Sequence, residues 1–255
     1  MDDSYKNIKE AEAMLLNVGT LLMSSGASTG RVRNTVNRIA DALGYNIELL
    51  ITNRSLMLKV IDEETHHFIA SLKRTSPHGV NFRVVSGISR MSWKVVEDNW
   101  SISQINTELD RLVALPHYPR LIILSSVALA GSSFCALFGG KGIELVVTFV
   151  ATFVGMLVRQ ESLKHRFNPF VSIFFAAFAA SLLSGLSVKL GFGSSPDLAF
   201  ATSVLFLVPG VPLINSFTDM IDGNILNGIV RGIHGLIIAL AIALGLLCAK
   251  FLFNI

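Results

Sequence analysis

The residues able to do chemistry in this chain gather between Val208 and Arg231. The run Val208-Pro209-Gly210-Val211-Pro212 interrupts a helix, because proline lacks the amide donor and glycine permits irregular dihedrals. Such a break frees carbonyls on one side and N–H groups on the other. Downstream, Asn215, Asp219 and Asp222 stand at i, i+4 and i+7, one face of a helix resuming after Pro212, with Gly223 next and Arg231 further along. Two carboxylates, an amide and a guanidinium in that order can bind an amino group, relay protons or pair among themselves. In hydrocarbon the freed backbone groups need partners, and broken helices at membrane depth line cavities where positive helix ends face anionic solutes, which suits a carboxylate. The competing reading makes Pro209 to Pro212 a simple kink and leaves Asp219 and Asp222 in a cytosolic loop, satisfied by water. Thr202 and Ser203 on the preceding helix are weaker candidates.

A second candidate lies near the amino terminus. Ser28 or Thr29 is placed as an N-cap, and with Arg31 the start of that helix forms an anion site, against the alternative of a solvated basic face made by Arg31, Arg33 and Arg38. His66, His67 and His78 have no cysteine beside them and no zinc-type spacing, so they read as solvated histidines at strand edges; no metal and no cofactor are expected. No nucleophile has a paired base: Ser28 lacks a nearby histidine, and the histidines lack a nucleophile motif. Enzymatic activity is therefore not expected.

Two solvents are written into the chain that positions these groups. It is 51% hydrophobic with mean hydropathy +0.58, too apolar for an ordinary soluble domain of 255 residues. Residues 1–120 carry 14 basic and 13 acidic side chains, leaving 7 and 5 for the rest. The first part thus faces water, while the second repeatedly runs for about 20 residues without charge, the length that crosses hydrocarbon as a helix. A net charge of +3 with interspersed signs disfavours nucleic-acid binding, and the acidic opening Met1-Asp2-Asp3 is unlike a cleavable signal. Cys135 and Cys248 fall in hydrophobic stretches and read as small core residues.

The expected architecture is an α-helical polytopic membrane bundle of about five spans with an amino-terminal cytosolic α+β domain. In the domain, residues 1–118, amphipathic helices at 7–24 and 30–43 precede short strands at 47–52, 56–61 and 67–72, and Ser101 caps a helix running to Leu115. Residues 80–86 fit either a strand or the start of a helix. The transmembrane part, residues 119–255, has spans near 121–140, 143–158, 167–188, 198–218 and 232–253. The basic run from Arg159 to Arg166 reads as a cytosolic loop. Counting crossings from it puts the amino terminus in the cytosol and the carboxyl terminus outside, periplasmic or external. Gly131, Ala176, Ala180 and Gly245 supply small-residue packing faces, and a helix lined with Ser and Ala also suits the border of a water-filled path.

Two segments resemble the threonine/serine exporter family: Gly26-Ala27-Ser28-Thr29-Gly30-Arg31-Val32 with Ala42-Leu43-Gly44 beyond it, and Val208-Pro209-Gly210 followed by Pro212, Asn215, Asp219, Gly223, Gly228 and Arg231. Where the family commonly has glutamate after Arg31 and Val32, this chain has Arg33. The resemblance implies the amino-terminal unit of such an exporter in its split, two-chain form. It further implies a bacterial inner-membrane location and, as partner, a second, smaller multi-span membrane protein and/or further copies of the chain. The solute would be an amino acid such as threonine or serine, or a dicarboxylate such as succinate, the solute associated with two-chain systems. The other function classes are a membrane-anchored enzyme or sensor and a non-transporting scaffold.

Overall fold

The computed structural model describes residues 3–62, 67–76, 79–116 and 118–254. Their order is α1 (Asp3–Ser24), α2 (Thr29–Ala42), β1 (Asn46–Ile51), β2 (Ser55–Ile61), β3 (Phe68–Arg74), α3 (Phe82–Asp98), α4 (Ile102–Val113), α5 (Arg120–Leu137), α6 (Ile143–Lys164), α7 (Pro169–Leu190), α8 (Pro196–Thr202), one 3₁₀ turn (Leu205–Leu207), α9 (Gly210–Ile221) and α10 (Ile225–Phe253). The chain divides into two compact units, residues 1–116 with 211–232, and residues 117–210 with 233–255.

In the first unit β1, β2 and β3 form an antiparallel meander, with Leu50 opposite Met57 and Met57 opposite Leu72. The alternation of β2 turns Leu56, Leu58 and Val60 into a core shared with Leu15, Val18 and Leu22 of α1 and with Val32, Val36 and Ile39 of α2. Leu50, Met57 and Leu72 stay exposed on the opposite face. Residues 80–86 resolve as the entry to a helix: the Asn81 side chain accepts from the Val84 N–H at 3.3 Å, and Val84, Val85, Ile88, Met91 and Val95 bury one stripe of α3. A reciprocal capping box starts α4, the Ser101 side chain accepting from Gln104 N while the Gln104 side chain accepts from Ser101 N.

The second unit holds α5 to α8 and most of α10. Four helices are long and apolar enough to cross a membrane, α5, α6, α7 and α10, and the interrupted pair Pro196–Leu207 with Gly210–Ile221 makes a fifth if it is one span. Small residues let the backbones approach: a Cβ built on Gly155 would lie 3.0 Å from the Ala176 carbonyl oxygen, and one on Gly245 would lie 2.8 Å from that of Phe174. Polar side chains turn inward. Thr152 Oγ1 donates to the Ser203 carbonyl at 3.3 Å, and the hydroxyls of Ser184 and Ser203 lie 3.0 Å apart. Large apolar groups such as Leu121, Phe138 and Leu240 remain exposed, as lipid-facing positions require.

Three expectations are corrected. Residues 159–164 are the last turns of α6 and not a loop, since the helix runs on to Lys164. The last helix begins at Ile225, seven residues before the expected start of the last span at 232, and takes in Arg231. Cys248 is exposed, whereas Cys135 is buried as expected.

Candidate functional site

The site lies in the first unit, where the start of α2 meets the helical hairpin of α9 and α10. Ser28 is the N-cap, its hydroxyl oxygen accepting from the Arg31 N–H at 3.4 Å. The preceding turn needs glycine: Gly26 has φ +88°, and a Cβ there would stand 2.9 Å from the Gly79 carbonyl oxygen.

The first amide of the helix, that of Thr29, is taken by Asp219. Its Oδ1 accepts from Thr29 N at 2.8 Å and its Oδ2 from Thr29 Oγ1 at 3.0 Å, and the residue is 0% exposed. Arg231 Nη1 lies 3.1 Å from Oδ2, an ion pair whose angles fall outside a hydrogen bond, while Nη2 donates to the Ala27 carbonyl at 3.1 Å. The carboxylate therefore receives three favourable terms together: charge-assisted hydrogen bonds, the positive end of α2 and a guanidinium whose side chain is only 14% exposed.

Further amides fix the hairpin on this unit. Asn215 Nδ2 donates to the Gly26 carbonyl at 2.9 Å, and Asn227 Nδ2 donates to the Ile51 carbonyl at 2.9 Å and lies 3.4 Å from Thr29 Oγ1. Between α9 and α10 the chain reverses through Gly223 at φ +81°, with Asn224 N donating to the Asp219 carbonyl at 2.7 Å. The two helices touch through Gly228, where a Cβ would be 2.4 Å from Met220 Cγ and 2.8 Å from the Ser216 carbonyl oxygen.

The structure brings Ser28, Thr29, Asn215, Asp219 and Arg231 together, and it fills the expected anion site with the chain's own carboxylate. Of the three uses open to the polar stripe, Asp219 pairs internally, which departs from the competing reading, whereas Asp222 lies in the exposed turn after α9, as that reading had it. Asp222 does not join its neighbour: it follows the last residue of α9 and is exposed, its Oδ2 2.9 Å from where a Gly30 Cβ would stand. Arg31 is exposed on α2. Val208 and Pro209 separate the 3₁₀ turn from α9, Gly210 opens the new helix, and Pro212 sits in its first turn, where a missing amide hydrogen is tolerated. Asn227, and Ser216 whose hydroxyl donates to the Gly228 carbonyl at 2.7 Å, escaped sequence reasoning, although Asn227 stands one turn before Arg231 in a stretch poor in polar residues. His66 and His78 lie outside the described residues, and among the described ones no three His, Cys, Asp or Glu side chains cluster as metal ligands would.

A buried, doubly hydrogen-bonded carboxylate facing a guanidinium fastens α9 to the start of α2, and a competing carboxylate can occupy the same donors.

Known proteins are similar to this chain over most of its length. A probable succinate transporter subunit, YjjP, of Klebsiella aerogenes is 30% identical over 236 residues, 92% of this chain and 90% of that protein. The probable succinate transporter subunit YjjP of Escherichia coli K12 is 29% identical, covering 92% of each chain. A probable threonine/serine exporter of Mycobacterium tuberculosis is 21% identical over 92% of this chain and 44% of its own length. No solved structure matches. A family profile of threonine/serine exporters spans residues 13–252, taking in both the start of α2 and the hairpin that carries Asp219 and Arg231. With that match over nearly the whole chain, and with helices long and apolar enough to cross a membrane, this protein belongs to the threonine/serine exporter family.

Proposed function

We propose that this chain is a subunit of a bacterial inner-membrane exporter that moves a small carboxylate-bearing solute, threonine or serine or a dicarboxylate such as succinate, out of the cell. Relatives named as transporter subunits support a two-chain assembly, so the chain works with a second, smaller multi-span membrane protein, with further copies of itself, or with both. Residues 1–118 form the cytosolic α+β domain and 119–255 the transmembrane domain, except that residues 211–232 pack with the former. Lys164, His165 and Arg166 at the end of α6 favour that end in the cytosol, which puts the amino terminus inside and the carboxyl terminus outside.

The observation that carries this reading is the seat of Asp219. A carboxylate lies on the first turn of α2 beside Arg231, one helix after the break at Pro209 and Gly210. The seat has the donors that a solute carboxylate needs, and a solute carboxylate can compete with Asp219 for them. Export then alternates between the seat filled by Asp219 and the seat exchanged, with Pro209, Gly210 and Pro212 letting α9 move as a piece, Asn215 on its face and Asp222 and Gly223 in the turn that ends it.

Uptake of labelled threonine, serine and succinate into inverted membrane vesicles of the native host tests the proposal, compared with a strain lacking this chain. At least one solute is expected to accumulate about tenfold faster when the chain is present. Equal uptake of all three in both membranes contradicts it.

A further inference from the structure

We propose that the first unit has a second solute site, separate from the Asp219 seat, which binds a small zwitterion by its carboxylate and its protonated amine. The site is a cavity of about 340 Å³, at the lower end of the sizes that hold small ligands, lined by Gly30, Arg31, Asn34, Thr35 and Arg38 of α2, Ser89 of α3 and Asp222 beyond α9.

Its charges are arranged for a bridging molecule. Gly30, Arg31, Asn34, Thr35 and Arg38 share one helical face, so two guanidiniums and an amide point into the same space. Arg38 is pre-organised: Nη1 donates to Ser92 Oγ at 2.9 Å, and its Cζ stacks 3.9 Å over the Trp93 ring. Neither Arg31, Arg38 nor Asp222 makes an ion pair among the described residues, although opposite signs line one cavity. Guanidiniums held apart from the carboxylate leave room for a ligand with a carboxylate at one end and a cationic donor at the other. A polyanion such as phosphate meets repulsion from Asp222, and a plain dicarboxylate leaves Asp222 without a donor. Gly30 keeps the floor open, since any Cβ there would crowd the Asp222 carboxylate. Because Gly30 adjoins Thr29 and Asp222 follows Asp219 by three residues, a bound ligand ties the end of α9 to the face of α2 beside the buried pair.

Calorimetric titration of the detergent-purified full chain at low salt, with L-threonine, succinate and inorganic phosphate as probes, tests this without any flux measurement. The wild-type chain is expected to prefer L-threonine. Arg31→Gln weakens L-threonine and succinate together by about tenfold. Asp222→Asn weakens L-threonine about tenfold while leaving or improving succinate, and Asp110→Asn on the exposed face of α4 changes neither. Both altered side chains are exposed, so an unchanged thermal unfolding curve establishes that the variants fold. Absence of L-threonine binding to the wild type, stronger binding of succinate or phosphate, or an Asp222→Asn affinity equal to wild type each overturn the proposal. Binding that persists while vesicle uptake is absent separates this inference from the export reading.

Discussion

Asp219 and Arg231 form a buried ion pair, with Asp219 also hydrogen-bonded to the first residue of α2 and Arg231 to the turn before it. Removing one partner of a buried pair leaves an uncompensated charge, a loss of about 3–5 kcal/mol, whereas neutralising both loses much less. Arg231→Gln should therefore lower stability in denaturant unfolding by roughly that amount, and Asp219→Asn with Arg231→Gln by less than the sum of the single changes. Additive losses would place the two side chains in separate environments. The cap is a smaller matter: Ser28→Ala should lose about 1 kcal/mol by the same measurement. In α4 the Glu108 carboxyl is held below its ordinary range chiefly by hydrogen bonds from Arg111 at 2.6 Å. A lowered folded-state pKa gives stability that is present above the unfolded value and is lost as pH falls through the folded one. The stability difference between wild type and Arg111→Gln should thus close on acidification, and a difference that grows at low pH contradicts the pairing. Among these residues the sequence made Asn215 and Asp219 visible by spacing, and Arg231 by being a charge further along an apolar stretch. It did not separate Asp222 from them, because an i, i+7 position on a helix that stops at Ile221 no longer belongs to the face.

At the scale of elements, the hairpin of α9 and α10 depends on a missing side chain. Gly228→Leu should force the helices apart at Met220 and Ser216, reducing thermal stability by about 1–3 kcal/mol through overpacking, with wild-type behaviour arguing against the close contact. The hairpin also explains where the hydropathy pattern misled. A charge normally marks the edge of a span, so Arg231 placed the start of the last helix at residue 232. Asp219 neutralises that charge, and α10 begins at Ile225 instead. By contrast α1, α2 and the three strands stand within a few residues of their expected bounds, since Gly26, Gly44 and Asn53-Arg54 punctuate them plainly. Residues 80–86 stayed ambiguous because their apolar positions suit either period until the rest of α3 is counted.

For the molecule as a whole, the decisive contact joins residues 190 positions apart, Thr29 and Asp219. Composition assigned residues 211–232 to the apolar half of the chain, and only folding reveals that they pack with the first unit. No periodicity in one sequence encodes such a pairing, which depends on an N–H left over at a helix start and a carboxylate placed by a hairpin far downstream. The exporter reading stands or falls on that carboxylate. Its most direct test is the initial rate of solute uptake into inverted vesicles carrying Asp219→Asn in place of the wild-type chain. Equal membrane abundance and a single elution peak on size exclusion establish that the variant folds. At least a tenfold loss of flux is predicted, and an uptake rate equal to wild type contradicts the assignment of Asp219.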